Sequence, residues 1–545
     1  QGTLFGKNSA AGALHLRTRN PTPEFEAEID GTYGMYNYWR ARGAFGGAIP
    51  GTSDELMFRV AFQAERRDGF IENTTLDRDE QNLNQNTIRA KLLWDPSAKL
   101  SVQFQGTYGI TKQDGTGIQI HEGTPRSIEA MQVFDPQFSD EIDDKTALDF
   151  PSFVERKYFE ATGIVTYEFD NGVELKSITN YAGFNEDVKF DADFSPIPFI
   201  TLQNDEDYSQ FSQEIRFTSP PGKFEYVAGL YYFQNEVDAT YKVDALANVA
   251  ELALITGQIE SILFNTIRDT IDGSPLGGLP GTNVLINQLN NGARNSQFTP
   301  LGVNLGRLGA AVLLARAQAN GGSPEVQETA TNPFLQQSRS YAAFFQANWH
   351  MSDDWTLVVG NRVSYENKKL KEGGQILENL AVPGAPSIIF PLIQSGSVNF
   401  TDSRERNEFN VSPKVVLQYQ GFYAGQVYAS AAAGYKGGGF NAQPLNPQEV
   451  EFEEETSITF ELGTKLDLFD GAGRFNISAF YTFYNDFQSS AFNGTAFVPT
   501  NVGEARVAGI EWDGAQALTD WLMLTHSGSF IHSEYLDFDN GPCQA

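Results

Sequence analysis

Apolar and polar residues alternate along this chain in short runs from one end to the other. In 56–64, Leu56, Phe58, Val60, Phe62 and Ala64 share one face, and Met57, Arg59, Ala61 and Gln63 share the other. In 100–110, Leu100, Val102, Phe104, Tyr108 and Ile110 oppose Ser101, Gln103, Gln105 and Thr107. In 458–468, Ile458, Phe460, Leu462, Leu466 and Leu468 oppose Thr459, Glu461, Lys465 and Asp467. Successive side chains on a strand point to opposite faces, so each run predicts a strand with one apolar and one polar wall. About seventeen such strands are expected, each close to the ~10 residues that a tilted strand needs to cross a bilayer. They lie near 24–35, 38–49, 55–67, 87–95, 99–111, 157–169, 172–188, 208–218, 223–242, 340–351, 355–369, 408–419, 425–440, 455–468, 473–488, 505–518 and 521–536.

The connections carry a second pattern. Every other one is a tight turn, such as Pro50-Gly51-Thr52-Ser53-Asp54, Asp170-Asn171-Gly172, Pro220-Pro221-Gly222 or Asp470-Gly471-Ala472-Gly473. The others are mostly long: 112–156, 189–207, 243–339 and 370–407. Short turns at one end and long loops at the other are the rhythm of an outer-membrane barrel, and a soluble sandwich has no reason for it. The loop 243–339 is expected outside the membrane and to contain short helices. Leu246, Val249, Leu252, Ile255 and Ile259 follow helical spacing, and so do Leu305, Leu308 and Val312. The loop reads either as an accessory subdomain packing on itself or as a lid over the barrel mouth.

Composition narrows the picture. No apolar run approaches the ~18 residues of a membrane helix. The 42 Phe, 21 Tyr and 51 Gly suit β-structure, and the net charge of -31 argues against nucleic acid as a partner. The only cysteine, Cys543, cannot staple the chain internally. An odd number of strands cannot close, because an open edge in lipid leaves amides unsatisfied at several kcal/mol each. The native chain is therefore expected to continue past Ala545 towards about 22 strands.

The opening residues, Gln1-Gly2-Thr3-Leu4-Phe5-Gly6-Lys7-Asn8-Ser9-Ala10-Ala11-Gly12-Ala13-Leu14, resemble the end of the plug domain of TonB-dependent receptors. The stretch Gly434-Tyr435-Lys436-Gly437-Gly438-Gly439-Phe440-Asn441 resembles that family's barrel strands, as do Glu453 to Lys465, Phe475 to Asp486, and Asn501-Val502-Gly503 with Gly509-Ile510-Glu511. The resemblance implies residues 1–22 as the last piece of a plug, with Gly2, Gly6 and Gly12 in its structural motif, and 23–545 as an incomplete transmembrane antiparallel barrel. It also implies a Gram-negative outer-membrane location and import of a scarce, bulky ligand, an iron–siderophore complex first. Energy would come from the inner-membrane TonB complex, gripping a segment that lies outside this sequence.

Catalytic chemistry is not legible. The sequence holds no His-Glu-x-x-His, no Gly-x-Ser-x-Gly elbow, no phosphate loop and no paired cysteines, so no enzyme, metal or cofactor is expected. Gly437-Gly438-Gly439 reads as a flexible strand end. The acidic runs 139–144 and 187–193 read as solvated loops. If Leu56 and its partners face lipid, parity turns Arg59 and Arg67 inward, and likewise Arg40, Arg42, Lys436, Tyr484 and Asp486. Of these, Arg40, Arg67, Lys436, Tyr484 and Asp486 fall towards the outer end and are the candidate ligand contacts; the plainer reading is that they pair with carboxylates of the plug or of neighbouring strands. Outer-membrane lipid and lipopolysaccharide are the other expected partners. Two further readings stand beside energised import: a passive porin or adhesin, and a soluble β-rich module. The plug-like opening favours import.

Overall fold

The computed structural model describes residues 2, 6, 7, 16–248, 325–380, 387, 389, 390, 397–422, 425–492 and 496–538. The alternating runs become β1 (Glu26–Tyr33), β2 (Trp39–Ala48), β3 (Leu56–Arg67), β4 (Leu83–Ser97) and β5 (Leu100–Asp114). Next come β6 (Phe153–Glu168), β7 (Glu174–Asp191), β8 (Ile200–Thr218) and β9 (Phe224–Asn248). They are followed by β10 (Glu325–His350), β11 (Trp355–Asn379), β12 (Phe400–Val411), β13 (Lys414–Phe422) and β14 (Gly425–Lys436). The last four are β15 (Glu455–Leu468), β16 (Gly473–Asn485), β17 (Ala505–Thr519) and β18 (Leu522–Tyr535).

These form one 18-stranded sheet in which strands consecutive in sequence pair antiparallel, except β12 with β13. Both β12 and β13 pair with β11, so they share one crossing, interrupted at Ser412-Pro413. Proline has no N–H to give a ladder, which explains the break; the Pro413 carbonyl still accepts the Ala433 N–H at 2.9 Å. Among the described residues, β1 is paired only on its β2 side and β18 only on its β17 side. The tight turns are those the sequence predicted. Gly51 at φ +90° and Gly172 at φ +76° adopt the left-handed backbone that side chains resist.

The strands run longer than the alternation suggested. Residues 243–248 and 325–339, expected as loop, are strand, and so are 370–379 and 400–407. The cause is a reversal of phase. On β9 the apolar positions are even at Phe224, Tyr226, Leu230 and Tyr232, then odd at Val237, Ala239, Val243 and Ala245. A slip of this kind reads as a strand end, yet the backbone continues and only the chemistry of its two faces exchanges. The helical patterns in the long loop lie outside the described residues beyond position 248, as do Gly12 and Cys543.

Above the wall, the connections fold into caps. Ile71–Asn73, Arg78–Glu80 and Lys145–Thr146 make a small sheet, with helix α1 (Pro125–Met131) beside it. Gly439–Phe440 pairs with Glu451–Phe452, and Gln488–Phe492 with Phe497–Asn501. No described helix is long and apolar enough to cross a membrane.

Candidate functional site

The register across β8–β12 reads as a section through a membrane boundary. Ile215, Leu230, Ala343, Val363 and Val411 form one outward rung, and Gln213, Tyr232, Tyr341, Tyr365 and Phe409 form the next. Beyond these lie Phe211, Gln234, Arg339, Asn367 and Asn407, then Ser209, Glu236, Gln337, Lys369 and Glu405. Aliphatic, aromatic, amide and charged rungs in that order are what hydrocarbon, interface and water select. Past this boundary the inner face becomes apolar. Leu202, Val243, Ala245 and Ala330 pack with Ile389 and Phe390, and Ala239, Phe334 and Leu370 pack with Phe440 and Val450. Outside the bilayer, the wall is thus built like a soluble protein, with loops tucked against it. Each fully buried Leu, Val or Phe contributes about 1.5–3 kcal/mol.

Parity places most predicted site residues on the lumen side. Arg40 stands opposite Thr32 and Glu65, bonds Thr32 Oγ1 at 3.3 Å and lies 3.8 Å from Asp30. Arg67 donates to the Gln81 carbonyl at 2.7 Å and lies over the Phe70 ring, 4.6 Å from its centroid. Lys436 is in register with Glu455, and Tyr484 with Ser457 and Ala505, its ring edge-on to Phe487 at 5.6 Å. Asp486 falls beyond the end of β16 in a left-handed turn, φ 52°, where its carbonyl accepts from Asn501. Parity stops having meaning where the strand stops, so Asp486 is a turn residue and not part of the inner wall. The five form two separate groups, on β2–β3 and on β14–β16, and none of the hydrogen bonds or ion pairs among the described residues joins them.

A different cluster is bound more tightly. On the inner face of β11, Glu366 is almost wholly buried and accepts an ion pair from Lys7 of the opening segment. Lys368, also buried, lies 3.7 Å from Glu366 and 4.0 Å from Glu408 on β12. Arg406 closes the network, reaching Glu408 at 2.7 Å, Glu451 at 2.8 Å and Glu453 at 2.9 Å. The Gly438 carbonyl accepts from Lys368 and its N–H donates to Glu408 at 2.9 Å. The glycine triplet expected to be a flexible strand end is therefore clamped, and a Cβ at Gly438 would sit 2.6 Å from Arg406 Nη2. Gly6, at φ +85°, lies against the Arg362 guanidinium, which in turn lies over the rings of Tyr231 and Phe344. Gly2 approaches Ser412 and Gly434. Gly2, Gly6 and Lys7 thus rest on the inner wall. This cluster was legible in principle, because Arg362, Ser364, Glu366 and Lys368 share parity, as do Arg404, Arg406 and Glu408.

At the outer end a third cluster holds the caps together. Asp191, fully buried at the outer tip of β7, accepts the Asp149 N–H at 3.1 Å and the Phe194 N–H at 2.9 Å. Its carboxyl is hydrogen-bonded to that of Asp149. Burial, then the adjoining Asp193 and Asp149 carboxylates, pushes Asp191 up to about 9, and burial pushes Asp193 up to about 7. The acidic run 187–193, read as a solvated loop, therefore ends in a buried knot. The described residues contain no group of His, Cys, Asp and Glu able to hold a metal ion.

An antiparallel sheet with a lipid-facing exterior, a polar charged lumen and folded outer caps defines a transmembrane β-barrel of the outer-membrane type. The chain belongs to the TonB-dependent receptor-like β-barrel family, whose sequence profile matches residues 260–542. Barrels of this family are outer-membrane transport receptors and not enzymes. The pesticin receptor of Yersinia pestis is 25% identical over 213 residues, covering 38% of this chain and 28% of that receptor. The ferric yersiniabactin uptake receptor of Yersinia pestis superposes with a TM-score of 0.67 at 17% identity, over 98% of this chain and 65% of that one. The siderophore receptor PiuA of Acinetobacter baumannii superposes at 0.66 and 14% identity, over 100% of this chain and 69% of that one. The chain therefore spans under a third of the curated relative and just under two thirds of the yersiniabactin receptor.

Proposed function

We propose that this chain forms the barrel of a receptor that imports a scarce, bulky nutrient across the outer membrane, an iron–siderophore complex first, with energy from the inner-membrane TonB complex. The observation that carries this reading is the inner-wall network that receives Lys7: an open porin has no need of a segment anchored in its bore by a buried ion pair. The two superposed structures, described as a ferric yersiniabactin uptake receptor and a siderophore receptor, support the substrate class. Arg40, Arg67, Lys436 and Tyr484 are proposed to face the solute's path, with the surrounding lipid and lipopolysaccharide as structural partners. Import of an oligosaccharide or another non-iron nutrient is the second reading, since the inner face is polar within the membrane span. Uptake of radiolabelled iron supplied as a panel of siderophore complexes, in a deletion strain and its complement, tests the proposal. Loss of uptake for one complex and its restoration supports it. Unchanged iron uptake across the panel, with a growth defect on a carbon source instead, favours the second reading.

A further inference from the structure

On the lipid-facing side of β8–β11, one small residue stands among large ones. Ala343 lies in register with Leu230 on β9 and Val363 on β11. Along its own strand, the next outward residues are Tyr341 above and Phe345 below. All four neighbours are exposed. A methyl group framed by larger side chains leaves a notch one side chain deep, which the protein itself does not fill. The notch opens into a groove of about 470 Å³ that runs past Ile215 and beneath Tyr232 and Tyr365. Apart from Gln213, its lining is aliphatic or aromatic.

A cation stands over the outer rim of this groove. Beyond Tyr232, Tyr341 and Tyr365, the next rung is Gln234, Arg339 and Asn367. The Tyr232 hydroxyl donates to Gln234 Oε1 at 2.8 Å, and the Tyr365 hydroxyl to Asn407 Oδ1 at 2.8 Å. The carboxylates one rung further out are already engaged. Glu236 accepts from Gln337, and Glu405 pairs with Lys369 at 3.2 Å. Arg339 is exposed, and no side-chain hydrogen bond or ion pair among the described residues holds it. In a chain of net charge -31, a cation left unpaired at the aromatic girdle is placed for a negative group that comes from outside the protein.

We propose that this groove and Arg339 form a docking site for one lipopolysaccharide molecule of the outer leaflet. An acyl chain of its lipid A lies over Ala343, and a lipid A phosphate sits on the Arg339 guanidinium. The order of the rungs selects this occupant. Apolar groove, tyrosine hydroxyls and cation follow one another along the strands, as acyl chain, sugar and phosphate do along the lipid. Arginine is also the suitable cation, because its planar fork takes a phosphate bidentately and is weakly hydrated. Where hydrocarbon gives way to water, that attraction is screened less than in bulk solvent. The site is on the opposite face of the wall from the lumen, so it concerns how the barrel is held among its lipids and does not depend on which solute is imported.

The test uses the complete receptor, purified from outer membranes in non-ionic detergent, with bound lipid counted by native mass spectrometry. Diphosphorylated lipid A is the probe, and phosphatidylglycerol is the comparison. One saturable lipid A site per receptor is expected. Arg339→Gln should weaken it by at least about tenfold, as loss of a charge-assisted hydrogen bond implies. Ala343→Trp, which fills the notch, should weaken it to a similar degree. Arg339→Lys keeps the charge and should retain more binding than Arg339→Gln. Leu462→Trp, on the outward face of β15, should leave binding unchanged. Heat-dependent gel mobility establishes that each variant is folded. Lipid A binding that is equal in wild type, Arg339→Gln and Ala343→Trp overturns the proposal. Equal binding of phosphatidylglycerol also overturns it, by reducing the groove to a general lipid contact. An oligomer that dissociates in Ala343→Trp assigns this face to a protein partner and overturns it as well. Iron uptake is read separately: a failed uptake test leaves the lipid site standing, and a failed lipid test leaves the import reading standing.

Discussion

Lys7 pairs with Glu366, a residue 359 positions further along the chain, across the inner wall of the barrel. Glu366 is 2% exposed in its side chain, and Lys368 and Glu408 stand beside it. Removing one member of such a buried set strands the others without compensation.

Replacing Glu366 by Ala should therefore weaken attachment of the opening segment by about 3–5 kcal/mol, the usual range for breaking a buried ion pair. Limited proteolysis at residues 7–20 should become faster by orders of magnitude, while the β-strand circular dichroism signal stays unchanged. Equal proteolysis rates in both proteins would remove the anchoring role.

The Asp149–Asp191–Asp193 knot makes the outer cap sensitive to pH. The raised carboxyl groups bind protons in the closed cap that they release once exposed, where an Asp titrates near ~3.9. The resulting stability is complete below about pH 4. It falls as pH climbs through about 7 for Asp193 and about 9 for Asp191. Arg78, which reaches the Ser152 carbonyl at 3.3 Å, is committed to Glu80 at 2.9 Å. Amide exchange at 148–152, corrected for intrinsic rates, should show opening that becomes easier from pH 5 to pH 9, by at most about 1.4 kcal/mol per pH unit per proton. Asp191→Asn should flatten that dependence and slow opening at neutral pH. A cap that opens more readily in acid contradicts the assignment.

Gly115 should tolerate no side chain. Its φ is +77°, and an added Cβ would lie 1.6 Å from the buried Glu80 carboxylate. Gly115→Ala is expected to destabilise the outer cap by about 2–4 kcal/mol, through left-handed strain together with displacement of Glu80. The signature is protease sensitivity confined to 68–82 and 115–152, with the barrel intact.

The membrane boundary predicts a contrast between rungs. Leu462, 60% exposed on the outward face of mid-β15, should cost about 2–4 kcal/mol when changed to Arg. Gln337, two rungs beyond the aromatic girdle, should cost about 0–1 kcal/mol for the same change. Folding titrations into lipid bilayers measure both. Equal costs would place the boundary elsewhere.

Much of this architecture was legible in the one-dimensional pattern. The alternation in 56–64 and 458–468 identified β3 and β15 and put Arg59 on the face opposite Phe58 and Phe62. It succeeded because hydrocarbon on one side and water on the other leave a period of two that no neighbour needs to interpret. The same reasoning failed for the upper parts of β9–β12, where the apolar face changes sides, and for Asp486, which lies past the last strand residue.

The sequence by itself determined that this chain is a membrane-spanning antiparallel barrel and which face of most strands is apolar. Those properties follow from local alternation and turn chemistry. Only the tertiary structure decided which inward charges meet: Lys7 with Glu366, Arg406 with Glu451, Asp149 with Asp191. Parity specifies a face but neither a height nor an opposite partner. Pairing of buried charges depends on strand stagger and on loops that fold back from far along the chain, so it is settled only when the whole wall has assembled.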